Sequence, residues 1–186
     1  GSNAAPAVAT LTVPELPTAP TVGKAFSPSV ITAGGGSTLT ITLNNSSGSA
    51  AILTAPLTDT LPGGVVTTGA GATTCGGTVS NTASTVTLTG GAIPANGSCT
   101  VTVPVTAPSG GNFVNTLAAG ALPTSNGANA APAIATLTVN AAIVPPTLAK
   151  TFSPATIASG GVSSLTITLS NNNGTPANLT APFTDT

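Results

Sequence analysis

The chain has no histidine, arginine, methionine, tryptophan or tyrosine, and 3% of its 186 residues are charged. Each absence removes a class of function. Neutralising nucleic-acid phosphates takes clustered lysine and arginine, whereas Lys24 and Lys150 stand 126 positions apart, so no nucleic-acid partner is expected. Calcium sites draw on several carboxylates, and the chain offers Glu15, Asp59 and Asp185 alone. Zinc sites need several Cys or His ligands, and two cysteines are present. Neither a metal nor a cofactor is expected. Acid–base catalysis on an outside substrate uses histidine or closely placed acids. Without them the chain is not expected to be an enzyme, beyond at most one reaction on itself. Proline and threonine interrupt every apolar run before it reaches the length of a spanning helix, so no membrane insertion is expected.

What is present is 22 glycines, 17 prolines and a 40% hydrophobic content at a net charge of -1. Disordered chains are poor in apolar residues and rich in net charge, so this one is expected to fold. Short β-branched runs between Gly, Pro and Asn clusters predict an all-β architecture. The first 60 residues align without a gap on residues 127–186, and more than half of the positions are identical: NAAPAVATLTV returns as NAAPAIATLTV, and LTAPLTDT as LTAPFTDT. That period suits a whole β-sandwich with its linker rather than a solenoid unit. The least similar stretch, around Pro14–Ala19 against Asn140–Pro145, is rich in proline and reads as the linker.

The expected organisation follows. Residues 1–13 are the last strand of a preceding repeat, with Gly1-Ser2-Asn3-Ala4 also fitting an added tag. Residues 14–20 are a linker, 21–139 a complete Ig-like β-sandwich, 140–146 a second linker and 147–186 the first half of the next repeat. Within 21–139 strands are predicted near 21–27, 37–45, 51–60, 65–68, 77–80, 84–89, 98–106, 112–119 and 132–139. Seven to nine short strands in that length suggest an Ig-like sandwich.

Four of the five charged residues form two copies of one pattern, Lys24 with Asp59 and Lys150 with Asp185. Alternation along a strand decides which way a side chain points. Val22 and Phe26 share the face of Lys24, Leu57 and Leu61 share that of Asp59, and Leu148 and Phe152 flank Lys150 in the same way. The charged residues therefore fall on apolar faces and are predicted to be buried. Burying an ion costs several kcal/mol, against a domain stability of about 5–15 kcal/mol. Three arrangements relieve that cost: a buried ion pair, a neutral lysine, or a lysine consumed covalently. A desolvated lysine is a nucleophile, and a desolvated carboxylic acid polarises a nearby carbonyl. Asn115 carries the same signature, with Phe113 and Leu117 on its face. Asn45, in phase with Leu43 and repeated as Asn171, competes with it, but beside Ser46-Ser47-Gly48 a turn-capping role is the expectation.

KAFSPSVITAGGGSTLTITLNN, LTDTLPGG and FVNT resemble the Ig-like "conserved repeat" modules of large bacterial surface proteins, the DUF-eleven-like group. The resemblance covers 21–139 and both partial repeats and is moderately specific. It implies tandem extracellular domains with a stalk or adhesive role on the bacterial cell surface. The lysine, acid and asparagine also resemble the autocatalytic isopeptide sets of pilin and adhesin domains. That resemblance implies Lys24 as nucleophile, Asn115 as electrophile and Asp59 as the proton-handling acid, with Lys150 and Asp185 an incomplete second copy.

Cys75 and Cys99 are an isolated pair, which in a chain of secreted character forms a disulfide. Thr-x-Thr series at Thr38/Thr40/Thr42, Thr85/Thr87/Thr89, Thr100/Thr102 and Thr136/Thr138 suit the solvated face of strands, and as flat ladders would also suit ice. Sequons at Asn44, Asn45, Asn96, Asn173 and Asn178 fit turn chemistry. The expected function is a structural repeat of a secreted fibre, stalk or adhesin. Its alternative is a filament subunit completed by strand exchange between copies, and a minor alternative is an ice- or glycan-binding adhesin. Neighbouring repeats or copies of the chain itself are the expected partners.

Overall fold

The computed structural model describes residues 1–2, 4–13 and 16–185 of the chain, which divides into two compact units, Gly1–Ala141 and Ala142–Thr186. In the first unit the strands are β1 Thr21–Ser27, β2 Val30–Thr32, β3 Gly36–Asn45, β4 Ala51–Ile52 and β5 Leu57–Thr60. They continue as β6 Val66–Thr67, β7 Ala72–Thr73, β8 Thr78–Asn81, β9 Thr85–Thr89 and β10 Ala92–Ile93. The last are β11 Gly97–Thr106, β12 Gly111–Leu117, β13 Pro123–Thr124, β14 Gly127–Ala128 and β15 Ala133–Asn140. The second unit holds β16 Thr147–Ser153 and β17 Ser164–Ser170. The fold is all-β and sandwich-like.

β3 is the centre of one sheet, with β1 on one side and β11 on the other, and β6 and β7 both pair with the far edge of β11. Opposite lie β12–β15–β2 and β5–β9–β8, with β5 beside β12. β15 and β2 run parallel, pairing Thr138 with Val30 and Val139 with Ile31. Alternation puts Leu39, Ile41 and Leu43 of β3 against Leu57, Val86, Leu88, Leu117 and Leu137 in one buried core. The threonines between them face out, as a β-former on a half-solvated strand does.

Four expectations change. The run expected at 51–60 is interrupted: β4 pairs with β10, β5 pairs with β9, and Pro56, which has no N–H to give a ladder, stands between them. Ala92–Ile93, which fall between the strands expected at 84–89 and 98–106, form β10 before Asn96 turns at φ 48°. Residues 1–13, expected to be the last strand of a preceding repeat, form no strand among those described and are exposed. In the second unit Lys150 and Asp185, predicted to be buried, keep 42% and 30% of their side-chain surface. Their face, with Leu148 and Phe152, is open because no second sheet covers it among the described residues.

A buried lysine–aspartate–asparagine cluster

Lys24 sits in the middle of β1 opposite Ile41, Asp59 on β5 opposite Val86, and Asn115 on β12 opposite Ala135. Three different strands thus aim polar groups into one apolar interior. Asp59 bridges the other two. Lys24 Nζ donates to Asp59 Oδ1 at 2.6 Å, and Asn115 Nδ2 donates to Asp59 Oδ2 at 2.9 Å. The side chains of Lys24 and Asp59 are wholly enclosed, and Asn115 is 1% exposed. Burial, the larger influence, lowers the Lys24 pKa from the ordinary lysine value of 10.5, while the hydrogen bond and the charge of Asp59 act the other way. A lysine so placed has its neutral, nucleophilic form brought closer to neutral pH.

Asn115 Oδ1 has no hydrogen-bond partner although it is buried. An orphaned buried acceptor costs about 1–3 kcal/mol.

Cys75 and Cys99 form a disulfide, and both are buried. Cys99 belongs to β11, and Cys75 follows β7, so the bridge fastens the short edge pairing to a central strand. The crossing that allows it depends on glycine. A Cβ on Gly91, whose φ is +92°, would stand 2.6 Å from the Gly76 oxygen and 2.8 Å from the Cys75 oxygen. Ala92 N then donates to Cys75 O at 2.8 Å.

Asn45 acts as the expected cap rather than as part of the cluster. Its Oδ1 accepts from Ser47 N at 3.1 Å, and its Nδ2 donates to Ser49 O at 2.8 Å. Sequence reasoning passed over Asn129. Its Oδ1 accepts from Leu122 N at 2.8 Å, and its Nδ2 donates to the Ala118 and Ala131 carbonyls. It thereby pins the connection that returns β12 into β15. Its recurrence as Asn3 was the available signal.

A sandwich-like all-β domain around a buried, three-membered polar cluster is the class these observations define. The chain belongs to the family described as Domain of unknown function (DUF7933), which matches residues 20–139 and 146–186. No curated protein matches it in sequence. Among solved structures, "Crystal structure of BslA - A bacterial hydrophobin" is similar at a TM-score of 0.47 and 14% identity, covering 69% of this chain and 98% of that one.

Proposed function

We propose that the first unit is a structural domain of a secreted bacterial surface fibre, stalk or adhesin, locked by its disulfide and by an isopeptide bond between Lys24 and Asn115. The observation that carries the bond is the single Asp59 carboxylate holding the amine with one oxygen and the amide with the other, all three buried. The disulfide supports an extracellular setting, since such bonds persist in oxidising compartments.

The chemistry balances within the cluster. A proton of the Lys24 ammonium passes to Asp59 Oδ1, giving an amine and a carboxylic acid. The Nζ lone pair attacks Asn115 Cγ, and the carbonyl π pair moves to Oδ1. Asp59 delivers a proton to Nδ2, the atom it already touches, and takes a second from Nζ. The Cγ–Nδ2 bond breaks as the carbonyl re-forms, and ammonia leaves. An amide joins the side chains, Asp59 ends protonated, and its O–H is free to donate to the new carbonyl. Proximity and desolvation supply the rate, and one turnover exhausts the site.

Intact mass under reducing conditions tests this reading. The chain is expected to weigh one ammonia less than its sequence, with a peptide joining Lys24 to Asn115 in a digest. Asn-Gly steps at Asn96, Asn126 and Asn173 lose the same mass when they cyclise. The controls are therefore Lys24→Arg and Asp59→Ala, which should carry full mass. A wild-type chain of full mass with a free Lys24 amine sinks the bond.

A further inference from the structure

Five asparagines of the first unit, Asn45, Asn81, Asn115, Asn126 and Asn129, are tied into its architecture by their side chains. Asn44 and Asn96 are exposed, and their side chains make no hydrogen bond among the described residues. The register of the central sheet brings these two together. Asn44 of β3 lies opposite Ser98 of β11, and the next pair is Asn45 with Gly97. Ser46 and Asn96 follow just beyond that pair. Two exposed asparagines and two exposed serines thus meet at one end of the sheet, around a depression of about 500 Å³. No residue lining it is charged, and the hydroxyls of Ser46 and Ser98 also lack partners among the described residues.

Behind this row stands a layer whose polar groups are all engaged. Asn45, 2% exposed, donates from Nδ2 to Ser49 O at 2.8 Å and to Pro94 O at 3.1 Å, which ties together the loops on either side of the depression. Asn126, also buried, donates from Nδ2 to the same Ser49 oxygen at 3.1 Å. Asn96 N donates to Ser47 O at 2.9 Å, and its backbone turns at φ 48°. The two loops are therefore held in place by buried side chains while the groups in front of them stay free. Support of this kind lowers the ordering cost of binding.

We propose that this depression binds a neutral saccharide, which gives the adhesin reading of the domain a ligand. A lining without charge offers no ion pair to a phosphate, sulfate or carboxylate ligand. A side-chain amide presents an acceptor and two donors, and a serine hydroxyl serves as both. Neighbouring sugar hydroxyls, which also donate and accept, match that set. A ligand without hydroxyls would leave the amides unpaired and be rejected. The volume falls within the range of small-ligand clefts, about 300–1,000 Å³. With no aromatic ring in the lining, hydrogen bonds carry the affinity, so binding is weak and insensitive to salt.

Nuclear magnetic resonance of the ¹⁵N-labelled whole chain tests this, with maltotriose, cellotriose and mannotriose as probes. Both asparagines head Asn-x-Ser sequons, so the chain used is one whose intact mass shows no attached sugar. At least one probe is expected to shift the side-chain amide signals of Asn44 and Asn96 saturably, with the same affinity in low and high salt. Asn44→Ala and Asn96→Gly should each weaken binding about tenfold, the loss of roughly one pair of neutral hydrogen bonds. Glycine takes the positive φ of position 96 freely, so that variant keeps the turn. Asn112→Ala, which removes an exposed asparagine of the opposite sheet, should bind like the wild type. All three positions are exposed, so loss of the fold does not confound the result. The proposal is overturned if none of the three probes shifts these signals. Binding that survives both Asn44→Ala and Asn96→Gly, or that is lost in Asn112→Ala or in high salt, overturns it too. These readouts are independent of the Lys24–Asn115 mass test, so either result can fail alone.

Discussion

Lys24 is the residue on which the energetics of the first unit turn. Truncating its partner leaves a buried ammonium without compensation, so Asp59→Ala should cost about 3–5 kcal/mol in urea unfolding. The same change should abolish ammonia loss, separating the acid's chemical role from its packing. A pH series distinguishes the bridged from the unbridged lysine. In Asn115→Ala, which cannot bridge, the folded-state pKa of Lys24 lies below the unfolded value near 10.5. Between those two values the unfolded state binds more protons, so stability rises with pH; below the window both states hold the proton and the gain is absent. A bridged wild type has no Lys24 proton to exchange and should lack this rise. The chain has no tyrosine or free thiol to obscure the comparison. The placement of these residues was legible in the sequence because a charged group between two large apolar ones at two-residue spacing can point only one way on a regular strand. The distances were not, because three strands far apart in the chain have to converge before one carboxylate can touch both partners.

Among the elements, the long strands β3 and β11 could be read from alternation, and β12 and β15 nearly so. β2, β7, β10, β13 and β14 could not. Each is two or three residues long, and what makes it a strand is a partner distant in sequence, as with β2 against β15. Beside the edge pairing of β7 stand a covalent device, the Cys75–Cys99 bridge, and a steric one, Gly91 packed against the Cys75 and Gly76 carbonyls. Removing the bridge with Cys75→Ser and Cys99→Ser together should cost about 3–4 kcal/mol, the loop-closure value for its span. Amide exchange should accelerate most in β7 and its neighbours. Gly91→Ala imposes a positive φ on a side chain that also meets two carbonyl oxygens. It should destabilise by at least about 1–3 kcal/mol, and slow disulfide formation during refolding, as followed by thiol trapping.

At the scale of the whole molecule, the proposed bond joins the first strand of the sandwich to β12, the last strand but one of its large sheets. The order of these elements along the chain has a consequence for extension. Tension entering at Thr21 would reach Lys24, cross to Asn115 and leave through β12 and β15. Everything between those residues, including β3, β11 and the disulfide loop, would lie on a slack bypass. Stretched at roughly 3.4 Å per residue, an unbridged first unit would pay out about 320 Å, its disulfide withholding the loop between Cys75 and Cys99, and a bridged one only about 100 Å, since roughly ninety residues are shorted out. Single-molecule extension of wild type beside Asn115→Ala reads that difference directly. The cluster so described is a fuse wired in parallel with most of the domain: it sets how long the molecule can become, independently of how much force its β-sheets withstand.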